Sequence, residues 1–223
     1  MQHSFWHDKW KTKQIGFHQN DINKLLLKHW PSLELAPNSS ILVPLCGKSL
    51  DLVWLRSQGH RVVGIELSEI ALDELAQSLT DKLGLKISKS NLDQEGLTAK
   101  YEGEGILLLA GDIFAVTSQM IGAISAVYDR AALVALPADM RQTYCKHLQA
   151  ICQQAAQLLF TFDYNQSQMS GPPFSVPAAE IHTHYQPYYQ AIELLEARDI
   201  IEHEPRFKER GLSSFKQLVY LIR

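Results

Sequence analysis

The stretch from Ile41 to Leu67 constrains this chain more than any other. It reads as an apolar strand (Ile41-Leu42-Val43-Pro44-Leu45), a tight turn (Cys46-Gly47-Lys48), a helical segment from Ser49 to Gln58, Gly59, and a second apolar strand (Arg61-Val62-Val63-Gly64-Ile65) closing on Glu66. Two buried-looking strands joined through one helix form a βαβ unit, and a glycine at the turn with an acid at the second strand's end suits a ribose-bearing cofactor. Glu66 stands nineteen positions beyond Gly47, close to the ~20-residue offset of an acid that accepts ribose hydroxyls. The competing reading makes Glu66 the cap of the helix that opens at Leu67-Ser68-Glu69-Ile70.

The turn has no full GxGxxG pattern. Gly47 alone is present, and glycine fits where backbone approaches a ligand closely. Pro44, Leu45, Cys46 and Lys48 fill the places of the small residues that a pyrophosphate at a helix N-terminus requires. A cofactor without phosphates suits this turn better, and S-adenosylmethionine is such a molecule. Spacing by itself reaches an enzyme that binds an adenosine-containing cofactor. An NAD-dependent dehydrogenase and a non-catalytic nucleoside-cofactor-binding protein stay open as readings from other classes.

Beyond this unit, apolar runs alternate with helical patterns over the whole length. Ala71 to Leu83 reads as an amphipathic helix, Ile106 to Ala110 and Ala123 to Tyr128 as strands, Ala138 to Cys152 as a helix and Gln157 to Phe162 as a strand. Ala178 to Tyr185 is a short helix, Ala191 to Ile201 a strand or strand-helix mixture, and Phe215 to Ile222 a final strand. The weakly patterned segment from Gly84 to Gly105 reads as a surface excursion, a hairpin at most. Such alternation predicts an α/β fold with a mostly parallel sheet, in a single domain over 1–223.

Charge and cysteine usage narrow the partners. A net charge of -3 offers no general attraction to nucleic acid or anionic membrane. No apolar run reaches a membrane-spanning length and the first residues lack a secretion-signal pattern, so a cytoplasmic protein is expected. Cys46, Cys145 and Cys152 have neither CxxC spacing nor an even count, which predicts reduced thiols and no metal site.

Several polar residues fall at predicted strand ends. Asp112, with Ile113 behind it, either accepts from a ligand amine or caps the local turn. Asp129-Arg130 follows a central strand, and charges there must pair or face a ligand; an internal Asp129–Arg130 ion pair or a surface arginine is the plain reading. Ser49 is a candidate cap for the helix after the turn. Three of the four tryptophans precede the first strand, so the N-terminal arm (1–37) is either a helix stapled onto the sheet or a lid whose rings cover a flat or cationic ligand. The stretch Arg206 to Gly211 reads as a solvated basic turn.

Taken together, Trp6-His7-Asp8-Lys9-Trp10, Gly16-Phe17-His18, Val43-Pro44-Leu45-Cys46-Gly47-Lys48-Ser49, Val63-Gly64-Ile65-Glu66-Leu67-Ser68, Gly111-Asp112-Ile113-Phe114, Tyr128-Asp129-Arg130-Ala131-Ala132-Leu133-Val134-Ala135 and Gly171-Pro172-Pro173-Phe174 resemble the thiopurine S-methyltransferase family, bacterial type. The resemblance runs from about Phe5 onward. It implies a Rossmann-like class I S-adenosylmethionine-dependent methyltransferase fold, seven-stranded with an antiparallel last strand, acting as a monomer on a small-molecule thiol. It also implies that Trp10 covers the cofactor, that Leu45 and Gly47 present backbone to its methionine part, and that Glu66 holds the ribose. Asp112 and Ile113 would flank the adenine, while Arg130 would stand near the methionine end of the cofactor and, with Arg210, act at the acceptor sulfur by favouring its thiolate. Phe17, Pro172, Pro173 and Phe174 would shape the acceptor pocket. A selenium or tellurium species, or another small thiol, is the alternative acceptor.

Overall fold

The computed structural model describes residues 3–16 and 18–223; Phe17 lies outside the described residues. Helix α1 (His3–Lys11) and the short α2 (Lys24–His29) precede β1 (Ser40–Pro44), α3 (Asp51–Ser57), β2 (Arg61–Glu66) and α4 (Glu69–Leu83). A hairpin of β3 (Ser88–Gln94) and β4 (Leu97–Gly103) leads to β5 (Ile106–Gly111), the single turn α5 (Ser118–Ile121), β6 (Ala126–Arg130) and α6 (Ala138–Cys152). Then follow β7 (Ala156–Asp163), α7 (Ala178–Tyr185), β8 (Ile192–Asp199), α8 (Pro205–Lys208) and β9 (Lys216–Ile222).

One sheet carries all these strands in the order β3-β4-β5-β2-β1-β6-β7-β9-β8. The central strands β5, β2, β1, β6 and β7 are parallel. The last strand, β9, runs antiparallel between β7 and β8, as expected. The strand count is corrected from seven to nine among the described residues, because the segment 88–103 is part of the sheet: β4 pairs antiparallel with β5 and β3 with β4. Its signal was weak because β3 is polar and exposed along most of its length, whereas β4 alternates, burying Leu97, Ala99 and Tyr101.

Alternation of side chains across the central strands builds two cores. Ile41 and Val43 of β1, Ile106 and Leu108 of β5, and Tyr128 of β6 pack with Leu52, Leu55, Leu72 and Leu75 from α3 and α4. Their neighbours Leu42, Leu107, Leu109 and Val127 pack on the other face with Tyr144 and Leu148 of α6 and Ile181 and Tyr185 of α7. Both faces are covered, which is why the strands read as continuous apolar runs. Gly64 sits where α3 and the turn press on β2: a Cβ there would lie 2.8 Å from Leu108 Cδ2 and 3.0 Å from both Cys46 Sγ and Leu52 Cδ2.

Local contacts set several element boundaries. Helix α2 starts at Lys24 because the Asn23 side chain accepts from Leu25 N and Leu26 N, a cap worth about 1 kcal/mol. Strand β6 starts three residues late and runs through Arg130, so Asp129 and Arg130 lie inside the strand and point to opposite faces. They do not pair with each other. The stretch read as a solvated turn begins inside α8, and Phe207 of that helix is buried.

Candidate active site

The chain order reverses across β1: from there it builds outward through β2 to β5, then returns to β6 on β1's other side. A crevice outside the carboxyl ends of the strands at such a point is the usual ligand position in open α/β sheets. Here it is a cavity of about 500 Å³, within the ~300–1,000 Å³ of small-molecule sites. Leu45 after β1, Glu66 of β2, Asp112 after β5, Arg130 of β6, Phe162 of β7 and Ile200 after β8 all line it. Because β9 is reversed, its amino end reaches the same edge, and Gln217 joins the wall.

The turn after β1 is tightly specified. Leu45 has φ +47 and Gly47 φ +53, and Cys46 N donates to Ile65 O at 2.9 Å. The Cys46 thiol is pushed well above its ordinary value, burial being the largest cause, so it stays protonated and acts as packing. Gly47 N donates to Glu66 Oε2 and Ser68 N to Glu66 Oε1, both at 2.9 Å. Both readings of Glu66 therefore have a structural counterpart: the carboxylate ties down two turns and also forms cavity wall. Burial raises its pKa, opposed by the amides of Ser68, Gly47 and Leu67.

Arg130 is held by the other half of the βαβ unit. Its Nε donates to Asp51 Oδ2 at 2.9 Å and its Nη2 to Ser49 Oγ at 3.0 Å. Asp51, only 1% exposed, also accepts from Tyr128 Oη at 3.0 Å and from Asn23 N at 2.8 Å. One buried carboxylate thus compensates the arginine and anchors the arm. Ser49 helps orient Arg130 and its Oγ also accepts from Asp51 N, the first amide of α3, at 3.3 Å, while Leu50, immediately before α3, makes no side-chain cap. The plain Asp129–Arg130 pairing is corrected: Asp129, on the opposite face, accepts from Tyr144 Oη at 2.7 Å and Leu133 N at 3.2 Å. Burial lifts Asp129 to about 6 against those two bonds.

The arm forms one wall. Phe5, Trp6 and Trp10 of α1 line the cavity, and the Trp10 ring packs so closely on Gly47 that a Cβ there would lie 3.2 Å from Cζ2. Trp30 takes no part; it stacks edge-on with Trp54 and His60 behind the sheet. Asp112 Oδ1 caps the turn that follows by accepting from Phe114 N at 3.0 Å, its Oδ2 lies 3.4 Å from His3 Nε2, and Ile113 lines the cavity beside it.

On the far side, Pro172 and Pro173 line the cavity but Phe174 does not. Its ring lies back over Gly171, 2.5 Å from where a Cβ would stand, and its N donates to Val134 O at 2.7 Å. Arg210 lines the cavity as an exposed residue whose guanidinium sits 6.0 Å from the Phe207 ring. Arg206, passed over in the sequence, lines it too: its Nη1 donates to Gly16 O of the arm, its Nε to Glu204 Oε2 at 3.1 Å, and it lies 4.5 Å over Phe207. Phe207, Phe215 and Phe162 form an aromatic floor, each adjacent ring pair 4.5 Å apart. Nothing in the local sequence marks this floor, because its three rings come from separate elements.

A family model described as "Thiopurine S-methyltransferase (TPMT)" matches residues 1–223. The thiopurine S-methyltransferase of Pseudomonas fluorescens is 42% identical over 223 residues, covering 100% of this chain and 99% of the relative. That of Pseudomonas paraeruginosa is 46% identical over 224 residues, with the same coverage. Among solved structures, a SAM-dependent methyltransferase from Anabaena variabilis superposes with TM-score 0.63 at 14% identity, covering 99% of this chain and 94% of that one. The 1,6-didemethyltoxoflavin-N1-methyltransferase of Burkholderia thailandensis, solved with S-adenosylhomocysteine, gives TM-score 0.62 at 14% identity over 99% and 86% of the two chains. At that identity the two structures speak for the fold.

Proposed function

The chain belongs to the thiopurine S-methyltransferase family, and from that premise we propose how this cavity transfers a methyl group from S-adenosylmethionine to the sulfur of a thiopurine or similar heterocyclic thiol. Membership sets aside the dehydrogenase and the non-catalytic binding protein. The observation that carries the reading is the buried Glu66 carboxylate at the end of β2. Two backbone amides fix it from the turn side, and its remaining lone pairs suit a pair of vicinal hydroxyls. When bound, S-adenosylmethionine supplies an electrophilic methyl group on a sulfonium cation.

The chain's own residues do the rest. Glu66 accepts the ribose hydroxyls, and the backbone of Leu45 and Gly47, in the left-handed region, lets the methionine part approach closely. Trp10 covers that part, and the aromatic lining from Phe5 and Trp6 favours positive charge. Asp112 and Ile113 border the adenine. Arg130, fixed by Asp51 and Ser49, holds the acceptor sulfur as thiolate by its charge. Pro172, Pro173 and the floor of Phe162, Phe207 and Phe215 align a flat heterocycle and exclude water. Alignment carries most of the rate, since the attacking and leaving sulfurs need only be held in line. Arg206 and Arg210 add positive charge at the acceptor mouth. No described helix is long and apolar enough to cross a membrane.

Calorimetry with S-adenosylhomocysteine tests the ribose assignment. Glu66→Gln should weaken binding roughly 10- to 100-fold, the ~1.5–3 kcal/mol of a hydrogen bond to a charged group. Unchanged affinity would refute it. A methyl-transfer assay across thiopurines, other thiols and selenols then ranks the acceptors, and faster turnover of a selenol would move the natural acceptor away from thiopurines.

A further inference from the structure

We propose that His18 is the base that takes the proton from the acceptor thiol; this rests on the methyltransferase reading above and adds a catalytic group to it. The segment carrying His18 is pinned at both ends to the acceptor side of the cavity. Gly16 O receives Arg206 Nη1 from the C-terminal segment, and Asn23 N donates to Asp51, the carboxylate that holds Arg130. Between these pins the His18 side chain forms cavity wall together with Lys48, Ser49 and Arg130.

Elimination points the same way. The carboxylates on the cavity wall are committed: Glu66 to two amides, Asp112 to Phe114 N and His3, and Glu204 to Arg206. The His18 imidazole has no hydrogen bond or ion pair among the described residues. Its surroundings also keep it able to accept. Burial, Lys48 and Arg130 hold it below its ordinary value, against the weaker pull of Glu74, which pairs with Lys48 at 2.5 Å, and of Asp51. The ring is therefore neutral at pH 7, as a base must be.

The step balances. The acceptor's S–H bond, or the ring N–H bond of its thione form, breaks heterolytically; the proton forms an N–H bond on the imidazole and the electron pair stays on the acceptor. The thiolate sulfur then bonds to the methyl carbon as the carbon–sulfonium bond breaks, its pair leaving on the homocysteine sulfur. Once the thiolate charge is consumed, Lys48 and Arg130 repel the imidazolium, which returns its proton to water.

The test is a pH series of kcat/KM for the full-length enzyme and His18→Gln, with one thiopurine acceptor, with and without added imidazole. Below the acceptor's pKa the variant should be slower by about 10²-fold, the lower end of general-base contributions. The gap should shrink to less than about threefold above that pKa, and free imidazole should recover part of the loss at low pH. A gap that is the same at every pH, or absent, or unmoved by imidazole, overturns the proposal while leaving the methyltransferase reading intact. Wild-type protein that methylates no thiol at any pH would instead sink that reading, and this proposal with it.

Discussion

Replacing Asp51 by Asn probes the joint between cofactor turn, arm and acceptor site. All three contacts of Asp51 are donors: Asn23 N at Oδ1, and Tyr128 Oη and Arg130 Nε at Oδ2. An asparagine has one acceptor oxygen. Whichever way the amide is turned, its NH2 group meets either the Asn23 N–H or the Arg130 Nε–H, and only the Tyr128 hydroxyl can reverse to suit it. Arg130 then remains largely buried, its side chain 14% exposed, without its counter-charge. Breaking one partner of a buried pair costs about 3–5 kcal/mol, and the residual exposure of Arg130 favours the lower end, about 3 kcal/mol. For a chain of this size each kcal/mol is worth roughly 2–4 °C, so the midpoint should fall by roughly 6–12 °C in differential scanning calorimetry. Tyr128→Phe removes one bond of about 1 kcal/mol and should cost only a few degrees. With Arg130 loosened, kcat/KM should drop at least about tenfold, or ~1.4 kcal/mol of transition-state stabilisation. If Asp51→Asn melts no lower than Tyr128→Phe, the carboxylate charge is not what compensates Arg130.

Two further outcomes follow from the same geometry. Gly47→Ala places a Cβ 3.2 Å from Trp10 Cζ2 at a φ of +53; a loss of about 1 kcal/mol in stability and a several-fold rise in KM for S-adenosylmethionine are expected, and an unchanged KM would show that Trp10 does not cover the cofactor. Asp129, raised from 3.8 to about 6, binds its proton more tightly folded than unfolded, so its contribution is full below about pH 4 and is lost as the pH rises through 6, up to about 3 kcal/mol by pH 7. Asp129→Asn can still accept from Leu133 N and donate to Tyr144 Oη, so its melting temperature relative to wild type should climb between pH 4 and pH 7; a constant offset would contradict this.

Much of this architecture was legible in the residues. Ile41 to Glu66 read correctly as a βαβ unit because strands covered on both faces are apolar without interruption, and α6 and α7 carried helical periodicity with proline before the first turn. The hairpin 88–103 was underestimated because its outer strand has nothing to bury. The cavity wall was legible where one motif contains it, as with Leu45, Gly47 and Glu66. It was obscure where partners are distant in sequence: Arg130 meets Asp51 seventy-nine positions away, and Arg206 reaches back to Gly16. Phe174 sits in an apolar tip that lines the cavity, but which ring of such a tip faces inward depends on its folding over Gly171, which no local pattern encodes.

The reversed β9 has a consequence for how such an enzyme diversifies. By turning back between β7 and β8 it brings the loop 200–215 to the edge where the central strands end, so the far wall is assembled from the chain's late segments and the arm. On the proposed reading, the grip on the methyl donor comes from residues 45–113 with Trp10 of the arm above them. On that same reading, substitutions that retune acceptor choice can therefore accumulate in Phe207, Arg210 and Phe215 without disturbing the donor's seat, whereas Arg206 is tied to the arm through Gly16 O.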